Sequence, residues 1–396
     1  MLTVLVLLLV PQEPVPESVP ARPMEPPPME LSELLAADPR LAKVLASRDE
    51  HRLQVLWTEV LPGTPPALRR HALGDPRRYF YPASSVKLGA AIAARLELRR
   101  LEREAGVRCG DDLAWRIGAR FDGDAPDAPW LRVDDDLRAM LTVSANPPFN
   151  HCFELLGPNR LNAALWDAGL SSCRIWHRLS ERHPLAENRV TRPVTLRWDG
   201  GELALPARDD DVRDADGGAF DNGAFADLEV GLGYLEDGVR VDGPMSFAEK
   251  NAIALRHLQD LLLALVRPRL CEAAGVRGFP ALRDDDRAQL VQWITVAPAG
   301  PADPDNPIAA GTARVVPKEH LRVRSKSGRA YGFAIENTEV LDLRTGRAWF
   351  LSAALYANPD GILNDDAYAY EETADPFLRD LAETIARAAV AAGEAR

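Results

Sequence analysis

The order of β-forming and helical patterns along the chain is the feature that most limits its fold. Residues 51–63 alternate apolar and polar side chains as a strand does, and residues 320–343 and 346–358 do the same. Between them, from Ser84 to about Trp293, helical spacing dominates. Because the strand-like segments come from both ends of the chain, we expect them to pair into one antiparallel sheet beside an all-helical lobe.

This order predicts an α+β fold, an α/β/α sandwich in which the last amphipathic helix packs on the sheet. A chain of 396 residues with 46% hydrophobic side chains can bury a core of that size. We expect a sheet lobe formed by residues 48–83 and 315–396, and a helical lobe formed by residues 84–300.

The N-terminus reads as a leader followed by a spacer. The apolar run within residues 1–10 is far shorter than the roughly 20 residues that span a bilayer, but it has the length of a signal-peptide core. Residues 11–30 contain eight prolines and show no apolar periodicity. We therefore assign residues 1–30 to an export signal and linker, and 31–396 to the folded domain, and expect a periplasmic or secreted protein without a stable membrane span.

Charge and metal-ligand spacing narrow the range of partners. The net charge is −12, with 59 acidic and 47 basic residues, which argues against nucleic-acid binding and favours a small-molecule partner. The histidines show no zinc-hydrolase spacing, so we expect no metal site. We also expect no cofactor and a monomer. The four cysteines match neither a redox pair nor a zinc knuckle, and their pairing stays open: Cys109, Cys152, Cys173 and Cys271.

A serine and a lysine stand three residues apart in YPASSVKLGA, residues 81–90. If a helix begins near Ser84, its side chain and that of Lys87 lie on one face. A lysine in a desolvated cleft has its pKa lowered and serves as the base that a serine nucleophile needs. Taken alone, the S-x-x-K pattern is also common in exposed helices.

Two further patterns follow along the chain, and their order makes the S-x-x-K pattern informative. Ser144-Ala145-Asn146 follows an apolar helical run, and Lys326-Ser327-Gly328 lies inside a strand pattern. S-x-x-K, S-x-N and K-[ST]-G together form the signature of serine β-lactamases and penicillin-binding proteins. From about residue 50 to the C-terminus, the chain resembles the class A β-lactamase and penicillin-binding-protein-like serine hydrolases.

The resemblance implies a role for each motif residue. Ser84 would attack a carbonyl to form an acyl-enzyme, and Lys87 would take its proton. Ser144 would pass a proton to the leaving nitrogen. Asn146 would hold Lys87 and the substrate amide. Lys326 would orient the Ser144 hydroxyl and raise the local positive potential for a substrate carboxylate.

The third motif would bind the substrate. Ser327 would donate to a substrate carboxylate, and Gly328 would leave room for the substrate along the strand. The backbone N–H groups of Ser84 and Arg329 would form the oxyanion hole. The Arg329 side chain would either clamp a carboxylate or narrow the cleft.

Two departures from the family pattern bear on turnover. Ala145 stands where class A enzymes carry aspartate, which looks more like a penicillin-binding protein. The deacylating glutamate of class A enzymes has no clear match; Glu181 is the favoured candidate and Glu187 the second. Residues 194–245 look like an insertion relative to compact family members.

Three functions stay open at this stage. The resemblance implies a serine hydrolase that opens β-lactam amides, with antibiotic resistance or β-lactam catabolism as its role. The alternative in the same chemistry is a DD-peptidase or another envelope amide or ester hydrolase, acting on a D-alanyl peptide. The alternative of another class is a penicillin-binding sensor or ligand-binding module without turnover.

Overall fold

The computed structural model describes residues 30–121, 123–125, 127–210, 221–297 and 300–394. The export signal and linker predicted for residues 1–30 lie outside the described residues, except for Glu30. Within the described part, no helix is both long and apolar enough to cross a membrane. The helices α1 to α11 are, in chain order, Leu31–Ala36, Ala42–Ala46, Lys87–Ala105, Val133–Thr142, Pro147–Asp167, Leu185–Asn188, Leu255–Val266, Cys271–Ala274, Asp284–Trp293, Pro307–Thr312 and Asp375–Glu394.

The strands form one large sheet and three small ones. The strands β1 to β16 are, in chain order, Gln54–Leu61, Ala67–Leu73, Ala114–Ile117, Leu131–Arg132, Val194–Trp198, Gly201–Leu205, Glu229–Val230, Gly233–Glu236, Val239–Asp242, Met245–Ser246, Thr295–Ala297, Leu321–Ser325, Gly328–Ala330, Phe333–Asp342, Arg347–Tyr356 and Ile362–Leu363.

The large sheet joins the two ends of the chain. Its order is β11-β12-β14-β15-β1-β2, with β13 paired to β14, and every pairing is antiparallel. The register sets Gln54 opposite Ala354 and Glu59 opposite Trp349, so N-terminal and C-terminal segments share the centre of the sheet. The prediction of one antiparallel sheet built from both chain ends in an α+β fold is confirmed.

Alternation along β1 explains why both faces of this sheet are covered. Val55 and Trp57 point into a core shared with α1, α10 and α11. Leu56, between them, points into the other core, which it shares with α3, α5 and α7. Because successive side chains of a strand point to opposite faces, an apolar run with both parities requires helices on both sides. The result is the expected α/β/α arrangement.

The helical lobe also contains strands: the hairpin-like pattern of residues 195–208 predicts two of them, and the helical patterns predict none. A four-stranded sheet of order β4-β3-β5-β6 lies beside α4 and α5. Its β5–β6 hairpin falls at the start of the segment read as an insertion. β3 has only four residues and β4 has two, too few to show a period of two against the helical background.

The strands of residues 229–246 are tied to the C-terminal part of the chain. β8 and β9 form a hairpin, and β16 pairs with β8 in parallel, with Ile362 opposite Gly233 and Leu363 opposite Tyr234. The loop that follows β16 leads to α11, so this pairing fixes where the loop starts. That loop reaches the cleft described below.

The question of cysteine pairing has a simple answer in this structure. All four cysteines fall in described residues, and all four are free thiols. Cys152 and Cys173 are fully buried in the core of the helical lobe, where a thiol packs as a small apolar side chain.

Candidate active site

The turn before α3 brings a serine to the surface of a cleft. Ala83 has a φ of 48°, a left-handed conformation that a β-carbon disfavours, and it opens a 3-10 turn over Ala83–Val86. The turn leads directly into α3, so Ser84 is partly exposed while Lys87 begins the buried helix. Ser85, by contrast, is buried and donates its hydroxyl proton to the Pro82 carbonyl at 2.6 Å.

The Lys87 amine is the centre of the cluster. Its Nζ lies 2.8 Å from Ser84 Oγ, 2.6 Å from Asn146 Oδ1 and 3.3 Å from Ser144 Oγ, and it also contacts the Ser144 carbonyl. Burial, and then the charge of Lys326, lower the pKa of Lys87 to about 7. A substantial fraction of the amine is therefore neutral near pH 7, and a neutral amine can accept the Ser84 proton at this distance.

A second lysine reaches the same place from the sheet. Lys326 Nζ donates to Ser144 Oγ at 3.0 Å and to the Ser327 carbonyl at 3.2 Å. Burial lowers the pKa of Lys326 to about 8. The Ser144 hydroxyl thus lies between two amines, at the junction of α4 and α5, where Ser144 holds a φ of 58°. This geometry can relay a proton in either direction.

Gly328 allows β13 to lie against the Ser84 turn. A β-carbon at this position would sit 2.7 Å from the Pro82 carbonyl oxygen, 2.9 Å from the Ser84 amide nitrogen and 3.0 Å from the Ser85 amide nitrogen. All three are backbone atoms that cannot rotate away. Glycine is needed here for the close approach of two backbones.

The Arg329 guanidinium is held inside the protein. It donates to Glu336 at 2.8 Å and to Asp375 at 3.0 Å, and also to the backbone carbonyls of Gly328 and Ile335. Its side chain still lines the cleft beside Ser84. Of the two roles considered for it, this arrangement fits narrowing of the cleft.

The Ser327 hydroxyl also has a partner within the chain. It donates to Asp303 Oδ2 at 3.0 Å, and Asn306 Nδ2 donates to the same oxygen at 3.1 Å. Asp303 lies in the loop between β11 and α10. This contact was not expected from the motifs, because nothing in the spacing of PADPDNP relates it to a strand some twenty residues later.

Glu181 follows Ser180 of the cleft and lines the groove that continues from it. The Glu181 carboxylate accepts from Asn150 at 2.8 Å and from Arg192 at 3.1 Å, and lies 3.1 Å from His183 Nε2. Burial alone would raise its pKa, but the His183, Arg192 and Asn150 contacts outweigh burial and lower it. Glu187, the second candidate, contacts the other ring nitrogen of His183.

Ser180, rather than its neighbour, faces the catalytic cluster. Its Oγ accepts a hydrogen bond from Asn146 Nδ2 at 2.7 Å, while Asn146 Oδ1 accepts from Lys87. Ser180 has a φ of 56°, a left-handed conformation, and the neighbouring Glu181 carboxylate has other partners than Asn146. Sequence reasoning missed Ser180 because a one-residue difference in orientation leaves no trace in spacing.

A cleft of about 340 Å³ opens beside Ser84. Four tyrosines form much of its wall, namely Tyr81, Tyr331, Tyr368 and Tyr370. The cleft continues into a larger groove of about 920 Å³ along residues 234–250. A separate cavity of about 260 Å³ lies between Ser144 and Asp303. Among the described residues, no group of three or more His, Cys, Asp or Glu side chains is placed to hold a metal ion.

The fold and the clustered motifs together define the class: an α+β protein of the β-lactamase fold with a serine and two lysines at one cleft. No family model and no curated protein matches the chain. Among solved structures, a β-lactamase from Desulfarculus baarsii is similar, with a TM-score of 0.51 and 18% identity over 89% of this chain and 97% of that chain. The chromosome-encoded β-lactamase of Vibrio parahaemolyticus has a TM-score of 0.50 and 15% identity over 90% of this chain and 98% of that chain. The fold implied by the sequence resemblance is confirmed.

Proposed function

We propose that this protein is a serine hydrolase that opens β-lactam amides through an acyl-enzyme on Ser84. The observation that carries the proposal is the 2.8 Å contact between Ser84 Oγ and a buried Lys87 amine whose pKa falls to about 7. A solvated helix-surface lysine would keep its charge and could not act as a base at neutral pH. The β-lactamase fold supports the same reaction class.

Acylation follows from these positions. Ser84 Oγ forms a bond to the carbonyl carbon as its proton moves to Lys87 Nζ. The backbone N–H groups of Ser84 and Arg329 would stabilise the oxyanion. The carbon–nitrogen bond then breaks, and the leaving nitrogen takes a proton from Ser144 Oγ, which is resupplied by one of its two lysine neighbours.

Deacylation reverses the proton path. A water molecule attacks the ester carbon and gives its proton to Lys87, the bond to Ser84 Oγ breaks, and Ser84 regains a proton while the carboxylic acid leaves. In this proposal the base is Lys87, because its amine contacts Ser84 directly, whereas both oxygens of Glu181 are bonded to Asn150, His183 and Arg192.

A second candidate function has an observation in its favour. Among the described residues that line the cleft at Ser84, Asp366 is the only carboxylate, and it is exposed at the rim. Without a carboxylate beside the ester, the acyl-enzyme would turn over slowly, as expected of a penicillin-binding sensor or a DD-peptidase acting on D-alanyl peptides. The export of the protein to the periplasm or beyond remains part of the proposal in either case.

Intact-mass measurement with nitrocefin, followed in time by absorbance, tests the proposal. We expect an adduct on Ser84 that is absent in Ser84→Ala and kept in Ser85→Ala, because the Ser85 hydroxyl is bound to Pro82. Sustained colour change favours the β-lactamase, and a single burst with a lasting adduct favours the sensor. Loss of the adduct in Ser85→Ala alone would contradict the assignment of the nucleophile.

A further inference from the structure

The cavity between Ser144 and Ser327 has a carboxylate, that of Asp303, in its wall. If Ser144 protonates the leaving nitrogen, the leaving group of a bound substrate lies in the 260 Å³ cavity that Ser144, Lys326, Ser327 and Asp303 line. This orientation rests on the proposed function. The chemistry of the cavity therefore decides which leaving groups the site accepts.

The Ser327 hydroxyl, which could donate to a substrate anion in this cavity, already donates to a group of the protein. Ser327 has one hydroxyl proton and donates it to Asp303 Oδ2 at 3.0 Å. Asp303 is held in place by Asn306, which donates to the same oxygen and itself caps α10. A carboxylate on the substrate would have to displace one that the protein supplies.

The two cations near this cavity are also engaged. Lys326 donates to Ser144 and to a backbone carbonyl, and the Arg329 guanidinium donates to Glu336 and Asp375. The Asp303 and Glu336 carboxylates already oppose the charge of Lys326, so a substrate carboxylate beside Asp303 would place a further negative charge on the same lysine. Two like charges at about 4 Å repel by about 4 kcal/mol at an effective dielectric constant near 20.

We propose that Asp303 is a specificity-determining residue that makes the site select substrates with a neutral or positively charged leaving side and disfavour those with a carboxylate there. The substrate class is then a β-lactam whose usual carboxylate beside the ring nitrogen is esterified or absent, or another amide or ester without an anion next to the scissile bond on the Ser144 side. Substrates that keep this carboxylate, such as nitrocefin and D-alanyl peptides, would acylate Ser84 more slowly. The groove on the acyl side carries both signs of charge, Lys250 against Glu236 and Glu249, so the selection acts on the leaving side.

Three forms of one penicillin isolate this effect. Benzylpenicillin, its methyl ester and its 2-(diethylamino)ethyl ester share the acyl arm and ring, and differ only in the charge on the leaving side. With the full chain, the second-order rate of Ser84 adduct formation is measured by intact mass. We expect the free acid to react at least about tenfold more slowly than either ester, the effect of one partly screened charge contact.

Variants assign the effect to one residue. Asp303→Asn keeps the size and the acceptor oxygen but removes the charge, and we expect it to reduce the ester-to-acid ratio by about tenfold. Asp305→Asn is the matched control, since Asp305 is exposed on the same loop, and it should leave the ratio unchanged. Should Asp303→Asn fail to fold, raising the salt concentration on the wild-type protein should narrow the same ratio by screening.

The outcomes separate this inference from the proposed function. An acid that reacts with the wild-type protein as fast as the esters, or an Asp303→Asn ratio equal to that of Asp305→Asn, overturns the inference while Ser84 stays the nucleophile. If no penicillin form modifies Ser84, phenylacetyl esters of 3-hydroxybenzoate and of its methyl ester repeat the comparison without a lactam ring. Absence of every adduct ends the proposed function and the inference with it.

Discussion

Adding one methyl group at Gly328 tests whether the contact between β13 and the Ser84 turn is needed for catalysis. In Gly328→Ala the new β-carbon would stand 2.7 to 3.0 Å from three backbone atoms, each closer than van der Waals contact allows. Relief requires β13 and the turn to separate by about half an ångström, and overpacking of this kind costs about 1–3 kcal/mol.

The separation would fall between the two N–H groups assigned to the oxyanion hole. A displacement of about 1 Å at a reacting centre costs up to about a hundredfold in rate, so we expect adduct formation on Ser84 to slow by about ten- to a hundredfold. The assay is intact-mass labelling at several probe concentrations, with a thermal melt of each protein.

Gly346→Ala is the matched control. Gly346 lies in the exposed β14–β15 turn with a φ of 71°, and no atom lies within 4 Å of the added carbon. It should lose about 1 kcal/mol of stability from backbone strain and label at the wild-type rate. Wild-type labelling by Gly328→Ala would refute the argument from the close approach.

Three more predictions follow from the site. Acylation should rise about tenfold between pH 6 and pH 8, because the base form of Lys87 is populated above its pKa of about 7, and a flat rate profile would count against Lys87 as the base. Ser180→Ala should slow acylation by about three- to tenfold, because it frees the Asn146 amide. Glu181→Gln should change the acylation and deacylation rates in burst kinetics by less than about twofold. A selective loss of deacylation in Glu181→Gln would instead assign that residue to catalysis. Arg178→Met should lower the free energy of unfolding by about 1–3 kcal/mol in urea titration, because buried Glu154 loses two hydrogen bonds and keeps only those from Arg192 among the described residues. A change under about 0.5 kcal/mol would contradict this.

The three motifs could be read from the sequence because each depends on local chemistry at short spacing. Ser84 and Lys87 lie within one turn at the start of α3, and Lys326 and Gly328 lie at the junction of β12 and β13, so their relative positions follow from the local chain. The sheet could be anticipated for a similar reason, since strands from both ends of a chain need partners. What the motifs do when they meet depends on the fold, and the structure places Lys87 and Lys326 on opposite sides of the Ser144 hydroxyl.

The remaining features of the site depend on contacts that spacing does not encode. Ser180 contacts Asn146 while its neighbour Glu181 contacts Asn150, His183 and Arg192, and spacing does not show which of the two residues meets which partner. Asp303 meets Ser327 only because the loop before α10 crosses the end of β12. Such long-range pairings are invisible to a pattern read along the chain.

The parallel pairing of β16 with β8 has a practical consequence for anyone who would shorten this protein. Deleting residues 229–246 to reach a more compact chain would remove the partner strand of Ile362–Leu363 as well as one wall of the groove. The stretch that carries Tyr368 and Tyr370 would then lose the anchor at its start and keep its contacts to Ala357 and Gly332, so we expect this wall of the cleft to loosen too. The two walls therefore depend on each other through the pairing of β8 with β16, and a shortened protein would need both to be redesigned together.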